Sequence, residues 1–233
     1  AMEQILSAYS PHEREMRRFG RPSIGSGLIF PLNEEDLMID PIEIQDHWPR
    51  IAAIDFGWDH PTAVVWCAID NESDTFYIYD CYRASKASPT VHSEVIKQRP
   101  YFIPIAYPHD GNRRDSMGNP GLAEQYRSHG CNFLMQHFTN PPGLGEKKGS
   151  NSVEEGLMAM LQSMEKENFK VFSTLSDWFE EFRMYHRKEG KVVALRDDLM
   201  SATRYAFQSQ RYAIAGSDPK WTSDITYRNY GIV

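Results

Sequence analysis

Residues 51–66 read IAAIDFGWDHPTAVVW, and the interpretation of the whole chain starts from this stretch. Its first four residues are apolar with β-branched members, which is typical of a buried strand. Asp55 then falls where a core residue would be expected. The glycine and proline that follow indicate a tight turn around Asp59, and residues 62–66 resume an apolar strand. The stretch therefore predicts a hairpin with one acid on its first strand and another at its bend.

Asp55 needs a partner if it is buried. An unpaired carboxylate inside a protein is costly, so a metal ion, a cation or a set of hydrogen-bond donors should accompany it. The simpler alternative is that Asp55 only caps the turn that follows. This stretch alone leaves both interpretations open.

The composition bounds the class of protein. A chain of 233 residues with 41% hydrophobic and 12% aromatic residues is long enough for one large domain with appendages, and it is not globally disordered. The net charge of −7 disfavours a passive nucleic-acid coat protein, but it suits an enzyme that holds cations in an acidic site. Three cysteines predict reduced core thiols in a cytoplasmic protein. We expect no membrane span and no signal peptide.

Strands come first and then alternate with helices, which predicts a mixed α/β domain with a central sheet. Further strands are predicted at 28–30, 75–82, 101–107 (an edge strand, because of its proline), 131–135, 169–172 and 191–195. Helices are predicted at 2–19, 88–99, 120–129, from a capping-box pattern at Ser152 and Glu155, at 175–187 and at 196–207. We expect residues 1–50 to form an arm, 51–212 the domain and 213–233 a polar tail. The glycine-rich loop 139–150 is expected to be mobile without DNA, and it lacks the P-loop register.

Further acids lie at the ends of predicted elements. Asp110 follows a strand, and Asp197 and Asp198 begin a late helix, a placement that the helix dipole favours. Carboxylates from separate segments can assemble a site for two hard cations such as Mg²⁺ or Mn²⁺. Two such ions about 4 Å apart can generate an attacking hydroxide and stabilise the leaving oxygen of a phosphodiester. The alternative is that the two late acids serve only as N-terminal helix residues.

Three motifs carry a family resemblance: IDFGWDHPTA at 54–63, YPHDG at 107–111 and DDLMSATRYA at 197–206. Together they resemble the C-terminal nuclease domain of tailed-phage large terminases, of the headful-packaging type found in short-tailed phages. The resemblance implies an RNase H-like fold, with a central mixed sheet flanked by helices. It also implies a metal-dependent endonuclease that cuts concatemeric viral DNA when packaging begins and when the head is full. Residues 20–31 resemble the family's linker, so the arm 1–50 would lead from an ATPase domain that this chain lacks.

The resemblance also assigns roles to residues. Asp55 matches the first metal ligand and Asp110 the second, while Asp197 or Asp198 matches the third. Asp198 is favoured because it leads directly into the helix. Many relatives have a histidine beside the third acid where this chain has an arginine and Asp197, so the choice stays open. Asp59 matches an accessory acid near the site.

DNA contacts would come from local positive charge, since phosphate contacts by lysine and arginine bind without sequence choice. The candidates are Lys147, Lys148, Arg113, Arg114, Arg183, Arg187, Lys188 and Lys191. For any single one of these side chains, a solvated surface position is the simpler explanation. We interpret His60, His109 and His186 as structural residues.

The implied partners are double-stranded viral DNA, two ions of Mg²⁺ or Mn²⁺, and the portal and small terminase subunit in the full motor. The implied location is the host cytoplasm, at the procapsid portal, and we expect the isolated domain to be monomeric and to contact no membrane. Two alternatives stay open. One keeps the fold but makes the chain a resolvase or a 3′-5′ exonuclease, and the other makes it a docking module for portal and small terminase with little intrinsic activity.

Overall fold

The computed structural model describes residues 26–113, 118, 120–143 and 148–216, so the predicted helix at 2–19 and the tail beyond residue 216 lie outside it. The strands are β1 Ser26–Leu28, β2 Met38–Ile39, β3 Arg50–Asp55, β4 Thr62–Asp70, β5 Thr75–Ala84, β6 Ile105–Ala106, β7 Phe169–Phe172, β8 His186–Lys188 and β9 Lys191–Val192. The helices are α1 Glu34–Leu37, α2 Pro89–Ile96, α3 Leu122–Ser128, α4 Val153–Glu165, α5 Ser176–Met184 and α6 Asp198–Gln208. Short 3₁₀ helices span His109–Asn112 and Gln210–Tyr212.

A central sheet organises the described part of the chain, with the strand order β2-β7-β5-β4-β3-β6. Strands β3, β4 and β5 pair antiparallel, whereas β6, β7 and β2 join as parallel neighbours. Nearly every residue of β3 and β4 is buried, which shows that both faces of the sheet are covered. The predicted mixed α/β fold with a central sheet is confirmed.

The hairpin predicted from residues 51–66 is present, and Asp55 lies opposite Ala63 at the end next to the turn. Thr62 closes the turn: its hydroxyl donates to the Gly57 carbonyl at 2.9 Å and accepts from the Gly57 N–H at 3.2 Å. A Cβ atom on Gly57 would lie 2.3 Å from the carbonyl oxygen of His60. Only glycine therefore fits at this point of the turn.

Two predicted strands are shorter than expected. The run 101–107 supplies only the two residues of β6, because prolines at 100 and 104 remove backbone donors that a ladder needs. It does lie at the sheet edge, as predicted. The run 131–135 supplies only an isolated bridge between Phe133 and Ile105.

The predicted helix 175–187 ends early, at Met184. The Tyr185 carbonyl accepts a hydrogen bond from Ile29 at 3.0 Å, and residues 186–188 then pair with β1 instead of continuing the helix. Strands β1, β8 and β9 thus form a second, three-stranded sheet. Glu189 and Gly190, both with positive φ, form the two-residue loop between β8 and β9.

Residues 26–50, which were expected to belong to an arm, are packed into the domain. Phe30 and Leu37 are buried in the main core, and Met38 pairs with Val171 at the edge of the central sheet. The side chain of Arg183 donates to Glu34 at 2.6 Å. Any linker function of residues 1–50 stays a prediction.

The cysteines and the helices agree with the expectations from composition. Cys67, Cys81 and Cys131 are all free thiols. Within the described residues, no helix combines the length and the apolar character that crossing a membrane requires.

We predict that Gly57→Ala lowers the free energy of unfolding by about 3 kcal/mol, because the new methyl group meets backbone oxygens that cannot move away cheaply. Urea unfolding followed by circular dichroism measures this change. Gly190→Ala is the matched control: its Cβ meets no atom within 4 Å, so only the left-handed backbone costs about 1 kcal/mol. Equal losses for both variants would contradict the steric explanation.

Candidate active site

Asp55 lies at the centre of an acidic cluster at the end of β3. Protein atoms surround most of its carboxylate, and this burial is the main cause that raises its pKa to about 8. The negative charges of Asp198, Asp110 and Asp197 raise it further, in that order of strength. A hydrogen bond from the Tyr205 hydroxyl opposes the rise. The four acids singled out as candidate ligands are therefore close enough to interact.

Sheet topology brings Asp110 to Asp55. Strands β3 and β6 are parallel neighbours, with Ala53 opposite Ala106. Their carboxyl-terminal ends therefore lie side by side. Asp55 ends β3, and the exposed Asp110 lies in the 3₁₀ helix that begins shortly after β6. Two acids that are 55 residues apart in the sequence meet because the strands before them are paired.

Helix α6 brings the third acid. It packs against β3 and β4, and it begins at Asp198, which is only 8% exposed. Asp197 occupies the N-cap position and is half-buried, but its side chain makes no capping hydrogen bond. Burial is the main cause that raises the pKa of each of these carboxyls. Of the two, Asp198 acts more strongly on Asp55.

The bend after Asp55 carries two side chains with different surroundings. Asp59 is exposed, and within the described residues no hydrogen bond or ion pair joins it to the four acids. His60, the next residue, lies close enough to lower the pKa of both Asp197 and Asp198. The interpretation of His60 as a structural residue does not include this electrostatic interaction, for which its position in the loop after Asp55 is the available sequence signal.

Tyr205 and Arg204 complete the site, and sequence reasoning missed both. Tyr205 is buried against Asp55, and burial followed by the charge of Asp55 raises its pKa well above the usual value. Tyr205 follows Asp198 by seven residues, and Arg204 follows Asp197 by seven residues. Residues seven positions apart lie on the same face of a helix, about two turns from each other. That periodicity was the signal that could have identified them.

Arg204 is a buried cation, only 5% exposed. Its guanidinium carbon lies 4.7 Å from the centroid of the Tyr205 ring and 5.3 Å from that of Phe138. Its Nε and Nη1 atoms have no hydrogen-bond partner in the described part of the chain. The positive charge lowers the pKa of Asp197.

The four acids offer only carboxylate oxygens, the donors that Mg²⁺ and Mn²⁺ prefer. Within residues 26–113, 118, 120–143 and 148–216, no group of three or more His, Cys, Asp or Glu side chains is arranged so that it could hold a metal ion by itself. Mg²⁺ does not need such a group, since it usually binds one or two carboxylates and fills its remaining positions with water and substrate phosphate. An open set of mutually repelling carboxylates around Asp55 therefore fits divalent cations of this kind.

The predicted DNA-contacting residues fall into three groups: exposed, outside the described residues, or paired with a glutamate, as Arg183 is with Glu34 at 2.6 Å. Arg113, Lys148, Lys188 and Lys191 are exposed, whereas Arg114 and Lys147 lie outside the described residues. Arg187 instead forms a two-pronged ion pair with Glu154, at 2.6 and 2.5 Å, so a phosphate would have to compete with that carboxylate.

Hydrogen bonds from Asn140 join the two ends of the glycine-rich loop. The Asn140 side chain donates to the Ser152 carbonyl at 2.8 Å and to Glu155 at 3.0 Å. The predicted capping box is therefore half formed: Ser152 accepts from the Glu155 N–H at 3.3 Å, while the Glu155 carboxylate turns to Asn140 and Ser150. Residues 144–147 lie outside the described residues, so the expected mobility stays a prediction.

Comparison with known proteins agrees with this geometry. The sequence profile described as "Terminase RNaseH-like domain" matches residues 52–210. The chain belongs to this family. The terminase large subunit of Salmonella phage P22 is 40% identical to it over 212 residues, which make up 91% of this chain and 41% of the relative. The chain thus spans about two-fifths of the length of that relative.

Solved structures of terminase nuclease domains also resemble this chain. The P22 large terminase nuclease domain matches with a TM-score of 0.74 and 38% identity, covering 83% of this chain and 97% of that one. The nuclease domain of g2p from bacteriophage SPP1, solved with bound Mn, is 17% identical with a TM-score of 0.52, covering 74% and 94%. The large terminase nuclease of phage G20c, solved with bound magnesium, is 15% identical with a TM-score of 0.53, covering 80% and 98%. The predicted RNase H-like fold is confirmed.

We predict that Asp198→Asn weakens Mn²⁺ affinity by at least about tenfold and that Asp197→Asn weakens it less, because Asp198 interacts more strongly with Asp55. Isothermal titration calorimetry on the DNA-free protein measures both. Glu72→Gln, on an exposed turn between β4 and β5, is the control and should bind as the wild type does. A larger loss in Asp197→Asn would reverse the assignment.

Proposed function

We propose that this chain is the nuclease domain of a phage terminase large subunit, a metal-dependent endonuclease that cuts concatemeric double-stranded viral DNA at the start of packaging and at headful termination. The observation that carries the proposal is the half-buried Asp55, whose carboxylate interacts with Asp110, Asp197 and Asp198 at the end of β3. The likeness to the P22 nuclease domain supports it.

Asp55, Asp110 and Asp198 would hold two ions of Mg²⁺ or Mn²⁺, with Asp197 as the alternative third ligand. When bound, such ions polarise a phosphodiester and neutralise the charge that develops during its hydrolysis. The metals seen in the SPP1 and G20c nuclease structures support divalent ions of this type.

The chain's own residues prepare the acids for this role. A carboxylate is a good ligand when it is ionised, and burial among like charges works against ionisation of Asp55. The hydrogen bond from Tyr205 favours the ionised form. For Asp197, the favourable contribution to ionisation is electrostatic and comes from His60 and Arg204.

Exposed cations would hold the DNA backbone. Arg113, Lys148, Lys188 and Lys191 are candidates in the described part of the chain, and Arg187 would join them once released from Glu154. Contacts of this kind give binding without sequence choice, which suits a nuclease that cuts wherever the head becomes full. Portal and small terminase are the further partners, and the host cytoplasm is the proposed location.

We predict that Lys188→Ala weakens duplex DNA binding uniformly across sequences and reduces the slope of log K against log salt by about one, because one phosphate contact is lost. Fluorescence anisotropy at several salt concentrations measures the slope. Lys170→Ala is the control, since that side chain donates to the Asp36 carbonyl at 2.9 Å, on a strand far from β6 in the sheet order. An unchanged slope in Lys188→Ala would remove this residue from the interface.

We predict that the wild type nicks and linearises supercoiled plasmid with Mn²⁺ or Mg²⁺ but not with EDTA, and that Asp55→Asn abolishes the cutting because the central ligand is gone. Agarose electrophoresis reads the result. Cleavage of closed circles contradicts the exonuclease alternative, and equal cutting of linear and branched DNA contradicts a resolvase. If Asp55→Asn binds Mn²⁺ as tightly as the wild type and neither cuts, the enzyme proposal fails and the docking module gains support.

A further inference from the structure

The N-terminus of α6 is capped from another helix. The first backbone N–H groups of a helix lack partners within it, and an aspartate at the N-cap ordinarily accepts from them. Asp197 occupies that position but makes no such hydrogen bond. Instead, Oε2 of Glu181 on α5 lies 2.7 Å from the N–H nitrogen of Leu199 and 3.4 Å from that of Met200.

Glu181 has no contact with solvent, with 0% of its side chain exposed. Its second oxygen, Oε1, accepts from Nη1 of Arg83 at 3.0 Å, so both carboxylate oxygens have donors. Burial raises the pKa of Glu181 to about 7, and the hydrogen bonds from Leu199 and Arg83 favour its ionised form. Arg83 lies on β5 of the central sheet, and Glu181 therefore links the sheet to the start of α6.

Glu180, the residue before Glu181, contacts the residue that precedes Asp197. Glu180 accepts from Arg196 at 2.8 Å and from Arg83 at 2.5 Å. Arg196 directly precedes Asp197 and has a φ of 52°, a left-handed conformation that is unfavourable for a non-glycine residue and needs support from its surroundings. Contacts from α5 thus fix the backbone immediately before and after Asp197 and Asp198.

The docking of α5 on α6 does not depend on Glu181. Trp178, which is fully buried, donates from its indole nitrogen to the Thr203 hydroxyl at 2.9 Å, and Thr203 donates to the Leu199 carbonyl at 2.7 Å. The Trp178–Thr203 hydrogen bond already joins the two helices, and ring contacts of Trp178 with Phe179 and Phe182 order α5 itself. The capping hydrogen bonds have a separate effect: they satisfy the helix N-terminus without using the carboxylate of Asp197.

We propose that Glu181, oriented by Arg83, is a positioning residue that caps α6 in trans and so leaves the carboxylates of Asp197 and Asp198 free to face Asp55. This inference rests on the proposed function, because free acids at this point matter only if they serve a cation site. Outer residues that orient metal ligands contribute substantially to metal affinity, and Glu181 acts on the third acid through the backbone rather than through its side chain.

The test compares Glu181→Gln with Asp177→Asn. Asp177 lies on the same helix and pairs with the same arginine at 3.2 Å, but it is 55% exposed and does not touch α6. In Glu181→Gln we expect the Leu199 and Met200 amides of the metal-free protein to exchange with deuterium about tenfold faster, because the charged acceptor is lost. We also expect Mn²⁺ affinity to fall by about 10- to 100-fold at a temperature where circular dichroism shows full folding. Asp177→Asn should match the wild type in both measurements.

Unchanged amide exchange in Glu181→Gln would overturn the capping role. Faster exchange with unchanged Mn²⁺ affinity would show that Glu181 is only structural, which also overturns the proposal. If Glu181→Gln does not fold, Arg83→Met, which leaves the carboxylate in place but unoriented, decides by the same two measurements. Failure of the proposed function has a different signature: the wild type and Asp55→Asn would then bind Mn²⁺ equally, whatever the exchange of Leu199 and Met200 shows.

Discussion

Mutual repulsion among four carboxylates is the constraint on which the site depends. The charges of Asp198, Asp110 and Asp197 raise the pKa of Asp55, and the charge of Asp198 raises the pKa of Asp197. Proximity must therefore be imposed by the backbone: by the end of β3, by the 3₁₀ helix after β6 and by the start of α6. A cluster that the fold holds together against repulsion would gain stability on binding cations, so folding energy would contribute to its affinity for metal.

The cationic side chains around this cluster have two kinds of partner. Some neutralise the acids at close range, as His60 and Arg204 do for Asp197. Others are held by glutamates, as Arg187 is by Glu154 and Arg83 by Glu181. The proposed DNA binding is compatible with a net charge of −7, because exposed cations such as Lys148, Lys188 and Lys191 would remain for the phosphates.

The folded unit also reaches beyond the hairpin on its N-terminal side. Strand β2 and the buried Phe30 and Leu37 belong to the core, and Ile214 pairs with Arg50 near the other end of the described chain. The C-terminal flank thus meets the start of β3, whereas β2 lies toward the opposite edge of the central sheet. Strand β3 is held on all sides, and the position of Asp55 at its end is correspondingly fixed.

The sequence by itself determined the hairpin, the central sheet, most helices and the acids, because each depends on local patterns: an apolar run, a turn residue, a carboxylate at the end of an element. It could not determine that residues 186–188 leave a helix to pair with β1, nor that Glu181 caps α6, because those contacts join segments that are distant in the chain. It favoured Asp198 over Asp197 through the resemblance but left the choice open, since adjacent residues share one local pattern. The tertiary structure adds that Asp198 is less exposed than Asp197 and acts more strongly on Asp55, because both properties depend on the packed fold.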